Sequence, residues 1–593
     1  MMSLKNRAAW APALFIAWCQ GWHGIAVLQA SPPNVILIMT DDQGYGDLSC
    51  HGNPVIKTPN LDQLFQESVR LTDFHVSPFC TPTRAALMTG RYPARTGAYR
   101  TSSGRTMLHP DERTIANVFA DAGYATGMIG KWHLGDNAPH RPQDRGFSDV
   151  VWHRCGGVGQ ASDYFGNDYF DDTYERNGIF ESFDGYCTDA WFTEARQFIE
   201  ENHGRPFFLY LATNAPHSPY RVAPKWSTPY RETVTWKGGA EFYGMIANID
   251  HNLGLLRATI DHLGLAENTI LIFLTDNGTA NGIGGKGVTP GGYTGFNAGM
   301  RGKKSTVFEG GHRVPFFIHW PAGGLTGGCD AAHLSAHIDV LPTLIDLCGI
   351  STSASLRLDG LSFADQLKDP AAPPHRDHYI AQLHGSANFL HPPRPWDTSC
   401  VAKDRWRLLD GQRLYHLDRD PMQHHDVAAD NPETVAELRR LYEEFWKSIS
   451  PRMTPVAIDL GNPSENPTHL CSQDWYLPTG NPPWNFGQIR GRPHVTGPWH
   501  VNITRAGRYR LSLRQLPEQA DRPLVAVRAK VQIAERDYEA SIPAGAQAAV
   551  FEVDLERGQT TLETWLHDRN DNTGGAYFTE VEFLGPGEKG PWP

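Results

Sequence analysis

The sequence predicts an α/β protein: a mostly parallel central sheet flanked by helices, then a small C-terminal α+β lobe and an appended all-β sandwich domain. Three observations carry that expectation. Between residue 34 and about 350, continuous apolar runs alternate with helix-patterned segments, the signature of α/β layering. From about 371 the apolar runs shorten, and one long helical pattern follows them. After Pro451 the chain is rich in Pro, Gly and aromatic residues, with apolar and polar residues alternating. At 593 residues the chain exceeds what one core supports, so domains are expected over 31–370, 371–450 and 451–593.

The first thirty residues read as a secretory signal peptide. Lys5 and Arg7 precede the largely apolar run 8–17, and the segment ends in Ala26-Val-Leu-Gln-Ala30 before Ser31-Pro32-Pro33. The apolar run is short and gives way to Gln20 and His23, which disfavours a membrane anchor. Trp18 is a poor neighbour for a lipidated Cys19, and no later run is long enough to span a bilayer. The expected location is therefore secreted or periplasmic, without stable membrane insertion. Nine cysteines occur, at 19, 50, 80, 155, 187, 329, 348, 400 and 471. Export permits disulfides, but the spacing shows no framework.

Within the α/β region, Asn34-Val-Ile-Leu-Ile-Met-Thr40 suits a strand covered on both faces. Further strands are expected at 125–129, 206–212, 269–275 and 314–320. Helices are expected between them at 61–69, 113–122, 189–201, 241–263 and 340–347. The Gly-rich stretch 290–297 reads as a loop near the site. The small lobe is expected to hold strands at 378–382, 400–409 and 413–417 and a helix over 432–449; the sandwich takes strands at 509–514, 524–531 and 549–555. The chain contains no internal repeat.

Lys plus Arg total 53 against 65 for Asp plus Glu, a formal charge of -12. That balance argues against nucleic-acid binding. An anionic substrate must then be captured by a local positive site, and polar residues cluster where such a site belongs. Asp41 and Asp42 follow the first strand, and Asp276 and Asn277 follow the strand at 269–275. Lys131 and His133 follow the strand at 125–129, and His217 follows that at 206–212. In an open parallel sheet the carboxyl ends share one edge, where ligands bind, so these motifs converge on one crevice. Asp41, Asp42, Asp276 and Asn277 offer only oxygen, which suits a hard cation, calcium or magnesium, better than zinc.

Cys80-Thr-Pro-Thr-Arg84 continues into Ala-Ala-Leu-Met-Thr89-Gly90-Arg91. On that extended motif the chain, from about 34 to 450, closely resembles the sulfatase family, whose Cys-x-Pro-x-Arg sequence directs oxidation of the cysteine to formylglycine. The resemblance implies sulfate-ester hydrolysis, maturation by a formylglycine-generating enzyme, and one calcium ion per active site held by Asp41, Asp42, Asp276, Asn277 and the modified Cys80. It further implies Lys131 and Lys304 as sulfate-binding cations, Arg84 as the partner of the formylglycine hydrate, His217 as the acid for the leaving alcohol, and His133 as the base that reforms the aldehyde. Lys304 sits in Arg301-Gly-Lys-Lys-Ser-Thr-Val-Phe-Glu309-Gly-Gly, similar to the family loop with a lysine five residues before the Glu; Lys303 is the adjacent alternative. His312 stands where the family usually carries another residue, and Leu414-Tyr-His-Leu-Asp-Arg-Asp-Pro421 resembles the family's C-terminal subdomain.

Cys80, followed by Pro82 and a helical pattern, belongs at a helix N-terminus, where backbone N–H groups favour an anionic oxygen and a bound sulfate. His153, Arg154, Asp163 and Tyr164, in a Gly-rich insertion, read either as lining of a substrate pocket or as a solvated loop. Asn502-Ile-Thr504 and Asn277-Gly-Thr279 match the glycosylation triplet, the second by coincidence with the metal residues. Two rival functions remain: a formylglycine-dependent phosphonate or phosphate ester hydrolase, and an inactive carbohydrate-binding protein with an unmodified cysteine. A glycan sulfate ester is the preferred substrate class, because an exported enzyme with a β-sandwich appendage suits glycans.

Overall fold

The computed structural model describes residues 31–284, 293–384 and 393–587. The expected signal peptide and the first part of the Gly-rich loop, 290–292, lie outside the described residues. In chain order the α/β region contributes β1 (Asn34–Thr40), β2 (Val69–Leu71), β3 (Phe74–His75), β4 (Ala125–Lys131), β5 (Asp149–His153), β6 (Thr173–Arg176), β7 (Ile179–Ser182), β8 (Phe207–Ala212), β9 (Thr269–Thr275), β10 (Phe316–His319) and β11 (Asp330–Ala331). Ten of these form one sheet in the order β11-β2-β10-β9-β1-β8-β4-β5-β6-β7. The central five, β9-β1-β8-β4-β5, run parallel. Antiparallel β10 and the β6–β7 hairpin flank them. Thr40 pairs with Thr275, and Met39 and Gly130 both align with Ala212, so the strands end on one edge.

The alternation of strand side chains divides the core in two. Val35, Leu37 and Met39 of β1 pack on one side, with the helices Cys80–Thr89, Ile115–Asp121 and Val340–Leu347. Ile36 and Ile38 point to the other side, against the helices Cys187–Asn202 and Gly239–His262. All seven residues of β1 are buried, so the uninterrupted apolar run is a consequence of cover on both faces. Thr114 and Asn117 cap the helix Ile115–Asp121 reciprocally, which starts it two residues later than the periodicity predicts.

In the small lobe, His378–Gln382, Ser399–Lys403, Trp406–Leu409 and Arg413–His416 form an antiparallel meander covered by the helix Pro432–Ile449. The single strand expected over 400–409 is a hairpin, reversing at Asp404 with φ +48°. The C-terminal domain is a sandwich. One sheet is built on Trp499–Ile503, Gly558–His567 and Arg528–Ile533, the other on Phe578–Gly585, Gly507–Arg514 and Ala549–Leu555. The expected strand 524–531 begins only at Arg528, because 524–527 is non-strand chain with Val525 and Val527 exposed.

Among the described residues all eight cysteines are free, so the disulfides that export permits are absent there. No helix among the described residues is long and apolar enough to cross a membrane.

Candidate functional site

The shared carboxyl edge assembles the site from chain turns that break the strands. After β1, Asp42 takes φ +67°, and its N–H donates to Asp276 Oδ1 at 3.0 Å. After β9, Asp276 N–H donates to Thr40 O at 3.1 Å, locking the two acidic turns together. Lys131 is the last residue of β4, which runs two residues past the expected 125–129, because pairing with β5 continues through it. Gly130 before it has φ +101°, and a Cβ there would lie 2.0 Å from Ala212 O; only glycine fits the approach that delivers Lys131 to the edge. The helix Cys80–Thr89 begins at the same place, with Cys80 buried at its first position.

Three buried carboxylates face three cations. Lys131 Nζ lies 2.5 Å from Asp41 Oδ2, Lys304 Nζ 2.6 Å from Asp42 Oδ1, and Arg84 Nη2 2.9 Å from Asp276 Oδ2 and 4.0 Å from Asp41 Oδ2. Arg84 also donates to Lys131 O at 3.0 Å and to the Tyr210 hydroxyl at 3.3 Å, so its guanidinium ties the lysine turn to the sheet. Of the adjacent lysines, Lys304 makes the contact with Asp42, whereas Lys303 is exposed.

Burial pushes the Asp42 carboxyl up, but the Lys304 ammonium and His217 outweigh it and hold it well below the usual range. Burial and the neighbouring Asp41 charge push Asp276 up to about 7, against Arg84 and Lys131. The Cys80 thiol is raised by burial, while Lys131 and Lys304 oppose the shift. A plain thiol here is therefore a poor nucleophile.

The donor set fits a hard cation. Asp41 Oδ1 and Asn277 Oδ1 are buried oxygens without a hydrogen-bond partner, whereas Asn277 Nδ2 donates to Asp42 Oδ1 at 2.9 Å. The amide is thereby pinned with its oxygen free. Oxygens of Asp41 and Asp42 and a ring nitrogen of His217 lie within 4.8 Å of one another. Calcium is the sort of ion that carboxylate and amide oxygens take up.

His217 Nδ1 donates to Ser218 O at 2.7 Å, which turns Nε2 toward Asp42 Oδ2, 3.7 Å away. Burial lowers His217 to about 3 despite the Asp42 charge. His133, at φ +58°, points Nε2 at Thr101 O, 3.3 Å away, and leaves Nδ1 buried without a partner. Burial first, then the Lys131 charge, holds it well below the ordinary histidine value, so both rings are neutral at pH 7.

The Gly-rich insertion divides. Arg154, Asp163 and Tyr164 line a cavity against His469 and Arg514 of the β domain, and Arg154 pairs with Glu175 at 2.8 Å. His153 is buried and donates Nδ1–H to Arg154 O, so it does not share that cavity.

Other residues at the site carry no sequence signal. Tyr210 looked like part of an apolar strand, and Asp47, which accepts from Gly44 N–H at 2.8 Å and is raised to about 7 by burial, follows no strand directly. His312, to which the sequence attached no role, faces His75 with Nδ1 to Nδ1 at 2.9 Å, in a buried network with Asp73, Glu309 and Arg407.

Comparison with known proteins places these features in company. A family model described as Sulfatase matches residues 33–350. Arylsulfatase A of Homo sapiens is 32% identical over 470 residues, covering 70% of this chain and 88% of that protein. N-acetylgalactosamine-6-sulfatase of Canis lupus familiaris is 30% identical over 532 residues, covering 78% and 95%. The crystal structure of Ps i-CgsB in complex with k-i-k-neocarrahexaose is similar with a TM-score of 0.63 and 27% identity, covering 72% of this chain and 95% of that one.

Proposed function

Since the chain belongs to the sulfatase family of sulfuric ester hydrolases, we propose that it hydrolyses carbohydrate sulfate esters with a formylglycine made from Cys80. One observation carries this reading: Cys80 opens a buried helix at the edge where Asp41, Asp42, Asp276, Asn277, Lys131 and Lys304 converge. Asp41, Asp42, Asp276, Asn277 and the modified residue 80 would hold one calcium ion, which when bound supplies charge stabilisation to the reacting oxygens.

The residues of the chain then divide the work. Arg84 opposes the burial-driven rise of Asp276 and holds its carboxyl in place, and it supports the hydrated aldehyde at position 80. Lys131 and Lys304 leave their carboxylate partners to hold the sulfate oxygens. One hydroxyl of the hydrate gives its proton to Asp276 and attacks sulfur, and the ester oxygen departs, taking a proton from His217. The neutral imidazole needs a proton for this, and an anionic sulfate beside it offsets the Lys304 and Lys131 charges that oppose protonation. His133 afterwards removes the proton of the remaining hydroxyl, the aldehyde reforms, and sulfate leaves.

Maturation by a formylglycine-generating enzyme, export directed by residues 1–30, and domains at 31–370, 371–450 and 451–593 belong to the same reading. The likeness to the canine N-acetylgalactosamine-6-sulfatase and to Ps i-CgsB in complex with k-i-k-neocarrahexaose supports a glycan substrate. The test is sulfate release from 4-nitrophenyl sulfate and from sulfated oligosaccharides by the wild-type enzyme and by Cys80→Ala. Release by the first and none by the second is expected. A phosphonate or phosphate ester cleaved faster than every sulfate would select the rival activity.

A further inference from the structure

The C-terminal β domain is built into the loops that cover the two histidines. Ser103 N–H donates to Gln473 O at 2.7 Å, two residues from Thr101, whose carbonyl lies against His133 Nε2. Across the cleft, Gln473 Nε2 donates to Asp136 Oδ2 and Ser162 Oγ, both at 3.0 Å, and Cys155 Sγ donates to Gln473 Oε1 at 2.6 Å. Ala161 N–H donates to Trp484 O at 3.0 Å, and Gln160 forms a β-bridge with Asn485. A buried polar network of this kind fixes the two domains in register.

Gln160 also borders both histidines. A Cβ on Gly156 would lie 2.7 Å from His133 Cε1 and 3.1 Å from Gln160 Oε1; one on Gly157 would lie 2.9 Å from Gln160 Nε2 and 3.6 Å from His217 Nδ1. The two glycines thus keep this wall against the histidines. Immediately beside it, reached through Ser218 and Pro219 next to His217, is a cavity of about 500 Å³ bounded by Gln160, Tyr169, Arg221, Trp484 and Asn485. Trp484 is held by its backbone, with N–H donating to Gln488 Oε1 at 2.9 Å, while its side chain is half-buried at the cavity.

An indole face with amide and guanidinium groups around it is suited to a sugar ring, which presents C–H groups on its faces and hydroxyls at its rim. We propose that this cavity is a carbohydrate subsite completed by the C-terminal domain, in which Trp484 stacks on a sugar of the substrate on the leaving-group side and Gln160 hydrogen-bonds its hydroxyls. The proposal rests on the sulfatase reading above. Trp484 acts here as a specificity residue, remote from the reacting atoms.

The test compares the full-length, aldehyde-bearing enzyme with Trp484→Ala and Trp484→Phe on 4-nitrophenyl sulfate and on chondroitin 6-sulfate and carrageenan oligosaccharides. In Trp484→Ala, KM for the oligosaccharide that the wild type cleaves best is expected to rise about tenfold more than KM for the aryl ester, and Trp484→Phe to recover most of that loss. Equal losses on both substrates, or oligosaccharides bound no better than the aryl ester by the wild type, would overturn the subsite alone. No sulfate release from any substrate by aldehyde-bearing wild type would overturn the sulfatase reading and the subsite with it.

Discussion

Asn277 donates its side-chain N–H to Asp42 Oδ1 at 2.9 Å, and the oxygen of the same amide is left buried without a partner. A buried acceptor with nothing to accept from is costly unless a ligand satisfies it. With Asp41 Oδ1 in the same condition, the pair reads as prepared for a cation. Asn277→Ala and Asp41→Ala should each lower calcium affinity by about tenfold or more, with activity falling in parallel. Calcium titration and elemental analysis measure this; full occupancy in both variants would remove these residues from the metal site.

Arg84 is fully buried and holds Asp276 at 2.9 Å. Removing one partner of such a pair strands the other charge in the interior, so Arg84→Ala should lose about 3–5 kcal/mol of stability in denaturant unfolding. Arg84→Lys, which keeps the charge but not the fork, should lose less and still impair turnover. A loss below about 1 kcal/mol for Arg84→Ala would mean that Asp276 is neutral or solvated in the folded protein.

The two histidines should separate by substrate. A proton from His217 matters most when the leaving alcohol is poor. His217→Ala should therefore damage hydrolysis of a sugar sulfate far more than that of 4-nitrophenyl sulfate. His133→Ala should impair both and accumulate a sulfated residue 80, visible by intact mass. Equal losses on both substrates for His217→Ala would move the acid role elsewhere, with Lys304 the next candidate.

Asp339 gives a pH dependence away from the metal residues. Its buried carboxylate holds Arg376 through both oxygens and His375 at 3.2 Å. Burial alone would raise it, but the Arg376 charge holds it at about 2, below its ordinary 3.8. A carboxyl depressed in the folded state contributes stability that is present above pH 3.8 and lost as pH falls through about 2. That contribution is about 2 kcal/mol. Unfolding free energy should fall across this window in the wild type and more gently in Asp339→Asn. Identical slopes would discharge Asp339 from acid sensitivity.

The sequence made much of the catalytic edge legible because Asp41, Asp42, Asp276 and Asn277 sit directly after, and Lys131 at the end of, strands covered on both faces, with His133 and His217 a few residues beyond theirs; Cys80 and Arg84 were legible through their motif. Periodicity located β1, β4, β8 and β9, and the parallel order did the rest. Lys304 was legible only through its loop motif, since no strand delivers it. Gln160, Trp484 and Gln473 were not legible: they reach the cleft through contacts between residues more than 300 positions apart, such as Gln473 with Ser162. The hairpin β6–β7 escaped because β7 is exposed throughout and the four-residue β6 buries Tyr174 as its only apolar residue, too little to form a pattern. The split of 400–409 at Asp404 depends on one left-handed residue, which periodicity does not report.

The most direct test is the mass of the peptide that contains residue 80, read from a preparation whose turnover of 4-nitrophenyl sulfate is measured in parallel. The account predicts an aldehyde in place of the Cys80 thiol, at an occupancy that scales with activity across preparations made with and without a formylglycine-generating enzyme. Full activity from protein whose residue 80 is wholly unmodified thiol would contradict it.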